Sequence, residues 1–278
     1  MSIRFDTNIV AAIAHRNLEI NTDALNTSIE KLSSGLRINS ASDDAAGMAL
    51  SEQLSMQVTG LGQAQSNAQD GISLLQTADG ALSETTTLLQ RMRQLAVEAA
   101  NDTMTASDRA QISDEMVQLS AEVNRVSDDT QFNTRSLLAG GTISTTGITL
   151  FIGANASQTM VVIIGTANAA ALGVMTTQLS VDSALDASTT IANVDKALGR
   201  LMNIRSGLGA MENRLQLTVS NLQTESLNTS AAESQIRDLD MASEMATMTK
   251  YQVLQQASTA MLAQANQAPQ SLLTLLKA

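Results

Sequence analysis

A long heptad stripe between residues 191 and 222 is the feature that most restricts what this chain can fold into. Apolar side chains recur there at alternating steps of three and four, with only two charged members. The stripe, here called the main seam, consists of Ile191, Val194, Leu198, Leu201, Arg205, Leu208, Glu212, Leu215, Val219 and Leu222. A narrow stripe of this length is typical of a coiled coil, and at ~1.5 Å per residue it predicts a helix about 50 Å long. Such a helix needs partners along its whole length, and its two charged members are expected to fix the register.

Four other segments show the same helical periodicity. Their predicted bounds are about 18–39, 44–100, 105–132 and 241–269. Serine or threonine followed three residues later by aspartate, at 40–43, 105–108 and 183–186, predicts caps that open the second and third helices and the main-seam helix. Gly60 and Gly62 weaken the prediction that the second helix is continuous. The last helix is expected to end near Pro269.

The middle of the chain changes character after Gly140-Gly141. Apolar residues alternate with other residues in two short runs, which are Ile148, Leu150 and Ile152 and then Met160, Val162 and Ile164. A glycine-containing stretch at 153–158 separates these runs and predicts the loop of a small β-hairpin.

Together these patterns predict a mainly α fold in which the N- and C-terminal arms pair as a long antiparallel coiled-coil rod, with a small β-hairpin region in the middle. Folding the chain back on itself is the simplest way to cover all the apolar stripes. The intramolecular seam is expected at Ile112, Met116, Leu119, Val123, Leu198, Leu201, Leu208, Leu215 and Leu222. The terminal arms carry a second set, Leu18, Leu25, Ile29, Leu32, Leu36, Leu254, Met261, Leu272 and Leu275, which we assign to self-assembly.

The composition argues against several classes of function. A net charge of −11 disfavours nucleic-acid binding, which needs a basic surface. The absence of cysteine and the single histidine, His15, leave no basis for a thiolate or multi-histidine metal site. The histidine falls at a position expected to pack in the core or between subunits. The sequence contains no phosphate-binding loop and no apolar run long enough to span a membrane. We therefore expect no catalytic residue, no cofactor, no metal and no membrane insertion.

Several longer motifs identify a family. The stretch from Lys31 to Gly47, KLSSGLRINSASDDAAG, resembles the N-terminal signature of bacterial flagellins. Further matches lie at 70–73, 76–82, 130–133 and 152–155, and then at 236–240, 255–266 and 269–276. The resemblance covers nearly the whole chain outside about 142–190. The chain departs from the family at Ser42, usually basic, at Thr134, usually glycine, and at Leu239 and Met241, usually alanine and an aromatic residue.

The resemblance implies a structural subunit that polymerises into the flagellar filament for motility, in a minimal form without large outer domains. It also implies export of the unfolded chain by the flagellar type III apparatus and an extracellular location. The expected partners are copies of the chain itself, an export chaperone, and the cap and hook-junction proteins. The implied domains are a terminal helical inner tube (1–43 and 236–278), a helical-bundle shell (44–139 and 183–235) and a small β-hairpin region of that shell (140–182).

One surface motif has a role in the family beyond assembly. Positions matching Gln90, Arg91, Leu95 and Glu115 are those read by vertebrate Toll-like receptor five, and the resemblance implies the same here. This chain has Gln94 where the family often has glutamate. Without the resemblance, the same residues are more typical of an ordinary solvated helix face.

Two other classes of protein remain open at this point. A hook–filament junction protein shares the plan of helical termini, although the matches at 255–266 and 272–276 favour a filament subunit. A secreted helical module that binds a receptor would also suit the length and acidity, but it would not need paired terminal stripes. An enzyme is the least favoured alternative.

Overall fold

In a computed structural model of the chain, the backbone is described for residues 8–277, and the side chains for the same range except Thr142 and 268–277. Long helices dominate this part of the chain. They are α1 (Ile9–Ser34), α2 (Ala45–Ala99), α3 (Ala106–Asp129), α6 (Ala184–Arg237) and α7 (Met241–Lys277). The short elements are β1 (Gln131–Phe132), β2 (Arg135–Ser136), α4 (Thr142–Thr145), β3 (Ile148–Phe151), β4 (Thr159–Val162), α5 (Ala169–Leu172) and a 3₁₀ turn (Thr176–Gln178). The predicted mainly α class is confirmed.

The chain divides into two compact units. A terminal unit comprises Met1–Met56 with Asn228–Ala278, and a central unit comprises Gln57–Leu227. The terminal unit contains α1 and α7, and the central unit contains α3 and all four strands. Helices α2 and α6 contribute residues to both units.

Side-chain caps explain where several helices begin. Thr105 and Asp108 form the predicted capping box of α3, in which each side chain accepts a hydrogen bond from the other residue's backbone amide. The Ser183 hydroxyl accepts from the amide of Asp186, as predicted for the helix that carries the main seam. Gly35, in the left-handed conformation at φ 72°, ends α1 four residues earlier than the far end of the predicted range.

The predicted cap of α2 was assigned to the wrong aspartate. Helix α2 begins at Ala45, and the Asp44 carboxylate accepts a 2.9 Å hydrogen bond from the amide of Gly47. The Asp43 carboxylate instead accepts from the amides of Asn39 and Ser40 in the preceding turn. These bonds, the one from Ser40 above all, hold the pKa of Asp43 below its usual value. Asp43 therefore closes the turn, and the adjacent Asp44 caps the start of α2.

Helix α2 is continuous through Gly60 and Gly62. A Cβ atom at Gly60 would lie 3.1 Å from the Cβ of Ala154, in the loop between β3 and β4. The glycine therefore lets the hairpin loop approach the helix closely. This packing outweighs the unfavourable intrinsic helix propensity of glycine.

The predicted hairpin at 148–164 is confirmed. Strands β3 and β4 pair antiparallel, with Ile148 opposite Val162 and Phe151 opposite Thr159. Along β4 the exposed Thr159 and Val161 alternate with the buried Met160 and Val162, as the period-two pattern requires.

A second, two-residue hairpin was not predicted. Strands β1 and β2 are joined by Asn133 and Thr134, both in the left-handed region at φ 49° and 63°. This is the conformation of a type I′ turn, for which Asn-Gly is the favoured sequence. The sequence pattern for this hairpin is weak, because the strands are short and a threonine occupies the position where glycine is preferred.

Replacing Thr134 by glycine is expected to stabilise the central unit by about 1 kcal/mol, since a β-branched residue is strained at positive φ. Urea denaturation of the free subunit measures this change. Thr149→Gly, at an exposed β3 position outside the positive-φ residues, is the matched control and is expected to lower stability. A loss of stability in both variants contradicts the assignment of strain to Thr134.

The core of the central unit follows the main seam, with a small rotation. Val194, Leu201, Leu208, Leu215 and Leu222 are buried at intervals of seven residues. The other buried positions of this helix are small and lie near its start, at Ala187, Thr190 and Ala197, while Ile191 and Leu198 are half-buried beside them. On α3, Ile112, Met116 and Val123 are buried and Leu119 is half-buried against the same core.

The two charged residues of the main seam pair with α2. The Arg205 guanidinium donates two hydrogen bonds to the Asp79 carboxylate, at 2.8 and 3.1 Å, and the pair raises the pKa of Arg205. The Glu212 carboxylate accepts a 2.8 Å bond from the Gln76 amide. Both contacts are satisfied only in one alignment of α2 with α6, which agrees with the predicted role of these residues in fixing register.

Candidate self-assembly surface

Helices α1 and α7 of the terminal unit pack against each other, as predicted for the two arms. The Asn21 amide donates a 2.9 Å hydrogen bond to the Ser258 hydroxyl, and the Gln255 amide donates one of 3.2 Å to the Thr22 hydroxyl. Residue numbers rise along α1 as those of the partners fall along α7, so the helices are antiparallel. Paired polar side chains inside a helix contact specify its alignment more than its strength.

The apolar contact between these two helices is thin. Only Leu25, Ser28 and Ala265 are buried on α1 and α7 in the described part of the chain. Leu18 and Leu32 are half-buried on the same side of α1, and Leu36 is half-buried just after the helix. These residues of the predicted self-assembly set therefore face α7 of their own chain or lie beside it.

The remaining members of that set point outward or lie beyond the described side chains. Ile29, Leu254 and Met261 are exposed. The side chains of Leu272 and Leu275 lie outside the described residues.

Many large apolar side chains of the terminal unit are exposed to solvent. On α1 and α7 they are Ile9, Val10, Ile13, Ile20, Ile29, Met241, Met245, Val253, Leu254 and Met261. Isolated exposed apolar residues are ordinary, but a series of them along two paired helices marks an interaction surface.

The clearest part of this surface is a stripe on α1. Ile9, Ile13 and Ile20 are 62%, 50% and 56% exposed and lie at helical spacings of four and seven residues. Helical spacing places them on the opposite side of α1 from the buried Leu25 and the half-buried Leu18. Helix α1 thus has two apolar sides, of which α7 covers one.

The two signature motifs meet at a joint formed by residues 35–44 and 236–240. The Arg37 amide donates to the Arg237 carbonyl at 2.7 Å, and the Leu239 amide donates to the Gly35 carbonyl at 3.1 Å. The Arg37 guanidinium also donates to the Ile236 carbonyl. The two breaks between long helices are therefore held side by side by backbone hydrogen bonds.

Gly47, just after this joint, leaves room for close packing. A Cβ atom there would overlap the capping carboxylate of Asp44 and lie 2.7 Å from the side chain of the buried Ile38, so both side-chain ends would have to move. The signature ending in Asp43-Asp44-Ala45-Ala46-Gly47 therefore encodes a turn, a helix cap and the space for both.

Asn8 connects the beginning of α1 with α7 in a way that sequence reasoning missed. Its side-chain oxygen accepts from the amide of Ala11, and its side-chain nitrogen donates a 2.9 Å bond to the carbonyl of Ala265. Ala265 lies four residues before Pro269, which has no N–H to donate to that carbonyl. The helix continues to Lys277, beyond the predicted end at Pro269, and Asn8 supplies the hydrogen bond that the proline leaves out.

Asn8→Asp is expected to destabilise the α1–α7 pairing by about 1–2 kcal/mol, because the capping oxygen stays while the donor to a buried carbonyl is lost. Hydrogen exchange of the first turns of α1 measures this loss. In a Pro269→Ala background the new amide can satisfy Ala265, so the same substitution is expected to cost less. An equal cost in both backgrounds contradicts the compensation.

His15 does not pack in the core of its own subunit, and packing between subunits, the other role predicted for it, stays a prediction. Its imidazole is 60% exposed, and Nδ1 lies 3.2 Å from a carboxylate oxygen of Glu19, one turn along α1. The stripe extrapolated back from Leu18 placed His15 on the paired face. The contact face instead passes through half-buried Ala11 and Ala14, which are small enough for α7 to approach closely.

The residues matched to receptor recognition divide into two groups. Arg91 donates to Glu115 through Nε and Nη2 at 2.9 and 2.7 Å, and both side chains are exposed, as is Gln90. Leu95 is only 2% exposed and belongs to the core of the central unit. Arg91 and Glu115 form an accessible ion pair and Gln90 is exposed one position before Arg91, whereas Leu95 supports the helix from inside.

The side chains that the structure describes contain no cluster of three or more histidine, cysteine or acidic residues suited to a metal ion. Within the described helices, none combines the length and the hydropathy needed to cross a membrane.

Comparison with known proteins gives consistent results across the chain. The family profiles for the bacterial flagellin N-terminal and C-terminal helical regions match residues 5–142 and 191–276. A flagellin of Halalkalibacterium halodurans is 47% identical over 270 residues, covering 97% of this chain and 98% of the relative. A flagellin of Bacillus subtilis is 42% identical over 304 residues, covering 99% and 100%.

A solved structure also resembles this chain. The crystal structure of Bacillus cereus flagellin, 32% identical, covers 60% of this chain and 94% of its own, with a TM-score of 0.50.

Proposed function

The chain belongs to the bacterial flagellin family and is a structural subunit of the flagellar filament, and from that premise we propose that its copies join through the outward apolar sides of α1 and α7. The observation that supports this proposal is the row of exposed large apolar side chains on both helices of the terminal unit. The family profiles leave only residues 143–190 between them, which makes this a flagellin of minimal form.

Burial of these side chains supplies the driving force for association. Each isoleucine moved from water into a packed contact contributes about 1.5–3 kcal/mol. Much of the remaining surface is serine, threonine, asparagine and glutamine, since charged residues make up only 15% of the chain. Neutral polar groups are buried at lower desolvation cost than ionised ones.

In the proposed assembly, residues 1–43 and 236–278 form an inner tube. Residues 44–139 and 183–235 form the surrounding helical shell, and 140–182 form its β-hairpin region. The joint at 35–44 and 236–240 supports a division near these boundaries, because both long helical paths are interrupted there. The extensive core of the central unit supports its role as a shell that is already folded before assembly.

Export of the unfolded chain by the flagellar type III apparatus, to an extracellular filament, follows from the same proposal. The chain has no cysteine and a single proline, so refolding needs no disulfide formation and has at most one X–Pro bond to isomerise. An export chaperone would cover the apolar arms before export. The cap and hook-junction proteins would meet the same surfaces at the two ends of the filament.

Recognition by vertebrate Toll-like receptor five is proposed for Gln90, Arg91 and Glu115. The three side chains are exposed on α2 and α3, and Arg91 donates a hydrogen bond to Glu115. Leu95 takes part by holding α2 in place rather than by touching a receptor, since it is buried.

Seeded polymerisation tests the proposed assembly. Purified full chain is added to short filament fragments, pelleted and viewed by negative stain, beside a version that lacks residues 1–40 and 240–278. We expect filaments from the full chain and none from the truncated version, whose central core keeps its helical circular dichroism. A full chain that stays monomeric beside competent seeds contradicts the proposal, as does polymerisation of the truncated version.

A further inference from the structure

Methionine is the most readily oxidised side chain on the surface of this protein. The sequence contains 14 methionines but no cysteine and no tryptophan. Six methionines are exposed in the part of the chain with described side chains: Met56, Met175, Met202, Met241, Met245 and Met261. Three others, Met92, Met116 and Met160, are buried.

Half of the exposed methionines lie on α7. Met241, Met245 and Met261 are 47%, 48% and 63% exposed, and they belong to the apolar surface of the terminal unit. Met241 and Met245 are one turn apart and share a face of the helix, whereas Met261 lies beside Leu254 on another side. The thioethers are therefore spread over the outward surface of this helix.

We propose that these three α7 methionines are peroxide-sensitive modification sites, and that their oxidation in the free subunit prevents its addition to the filament. This inference rests on the proposed function, because it assumes that the outward side of α7 is covered in the assembly.

The reaction is a two-electron oxygen transfer from hydrogen peroxide. A sulfur lone pair attacks one peroxide oxygen and forms the S–O bond while the O–O bond breaks. The departing hydroxide gains the proton released from the transferred oxygen and leaves as water. Sulfur is oxidised to the sulfoxide, and the peroxide is reduced.

The sulfoxide weakens assembly because it places a strong hydrogen-bond acceptor on an apolar surface. A thioether packs well against varied apolar neighbours, but a sulfoxide buried without a donor carries an uncompensated desolvation cost. Because the three thioethers are exposed on the free subunit, peroxide can reach them before assembly. In the filament the same contacts would exclude peroxide.

The fold of the free subunit tolerates this reaction. The buried thioethers are inaccessible to peroxide in the native state, and Met92 and Met116 have no exposed surface. Loss of assembly after mild oxidation therefore reports the surface sites rather than collapse of the core.

The experiment compares two triple variants of the full chain that remove equal numbers of exposed thioethers. The first is Met241→Leu, Met245→Leu and Met261→Leu. The matched control is Met56→Leu, Met175→Leu and Met202→Leu. Each protein is treated with hydrogen peroxide, the oxidised positions are identified by peptide mass spectrometry, and the critical concentration for seeded assembly is measured.

We expect oxidation to raise the critical concentration of the unsubstituted chain and of the control variant by roughly tenfold or more. The α7 variant is expected to assemble as well after peroxide as before it. In preformed filaments the α7 methionines are expected to oxidise more slowly than in free subunits.

Oxidised subunits that assemble normally overturn the inference, as does equal sensitivity of the α7 variant and the control. Equal α7 oxidation rates in filaments and free subunits also overturn it. Failure of the untreated chain to assemble is a separate result that contradicts the proposed function itself.

Discussion

Subunits carrying Ile13→Asp and Ile20→Asp are expected to remain monomeric beside filament seeds that elongate with the unsubstituted chain. Both isoleucines lie on the stripe of α1 opposite the face that packs on α7. The double substitution removes two apolar contacts and places two carboxylates in the proposed interface. Sedimentation of polymer as a function of subunit concentration measures the effect.

The expected size follows from burial alone. Loss of two isoleucine contacts weakens subunit addition by roughly 4 kcal/mol, which raises the critical concentration by about a thousandfold. Desolvation of the carboxylates adds to this loss. The free subunit changes little, because both positions are half or more exposed and neither touches the core of the central unit.

Asn26→Asp with Ser33→Asp is the matched control. It adds the same two charges, also seven residues apart, to exposed positions on another side of α1. We expect these subunits to polymerise. Comparable inhibition by both pairs would mean that charge on α1, rather than the apolar stripe, decides assembly.

Periodicity predicted the helices because it reports which side of each segment must be buried. The main seam correctly predicted helix α6 and the side of it that is buried. The alternating pattern correctly predicted β3 and β4. Periodicity did not give the small rotation that buries Ala197 in preference to Leu198. That choice depends on how closely α2 and α3 approach α6. The spacing of apolar residues along one segment carries no information about that distance.

Contacts between distant residues were the features that sequence reasoning missed. Asn8 and Ala265 are 257 positions apart. The side-chain N–H of Asn8 is needed there only because Pro269 has no N–H to donate to the Ala265 carbonyl. An asparagine at a helix start and a proline inside a helical pattern were both visible in the sequence. Their connection required the antiparallel alignment of α1 with α7.

The same distinction applies to the predicted self-assembly residues. Leu18 and Leu25 face α7 of their own chain, whereas Ile9, Ile13 and Ile20 are exposed on the opposite side of α1. A helix with two apolar sides shows both patterns in its sequence, but the sequence does not say which one is used within the subunit. The intramolecular pairing decides this and leaves the other side for assembly.

Leu201→Ala is expected to lower the free energy of unfolding of the central unit by about 3–4 kcal/mol. Leu201 has no exposed surface and lies in the middle of the main seam. Its truncation removes apolar contacts and leaves a cavity, which the surrounding core can fill only in part. Urea denaturation of the free subunit, followed by circular dichroism, measures the loss.

Leu217→Ala tests whether burial is the cause, because it is the same substitution on the same helix at a side chain that is 67% exposed. Its expected effect is within about 0.5 kcal/mol, as for most surface substitutions. Similar losses for both variants would show that α6 is stabilised by leucine content along the helix rather than by packing at the seam. A large loss confined to Leu201 would place the stability of the folded subunit in the central core, independent of the surfaces that join one subunit to the next.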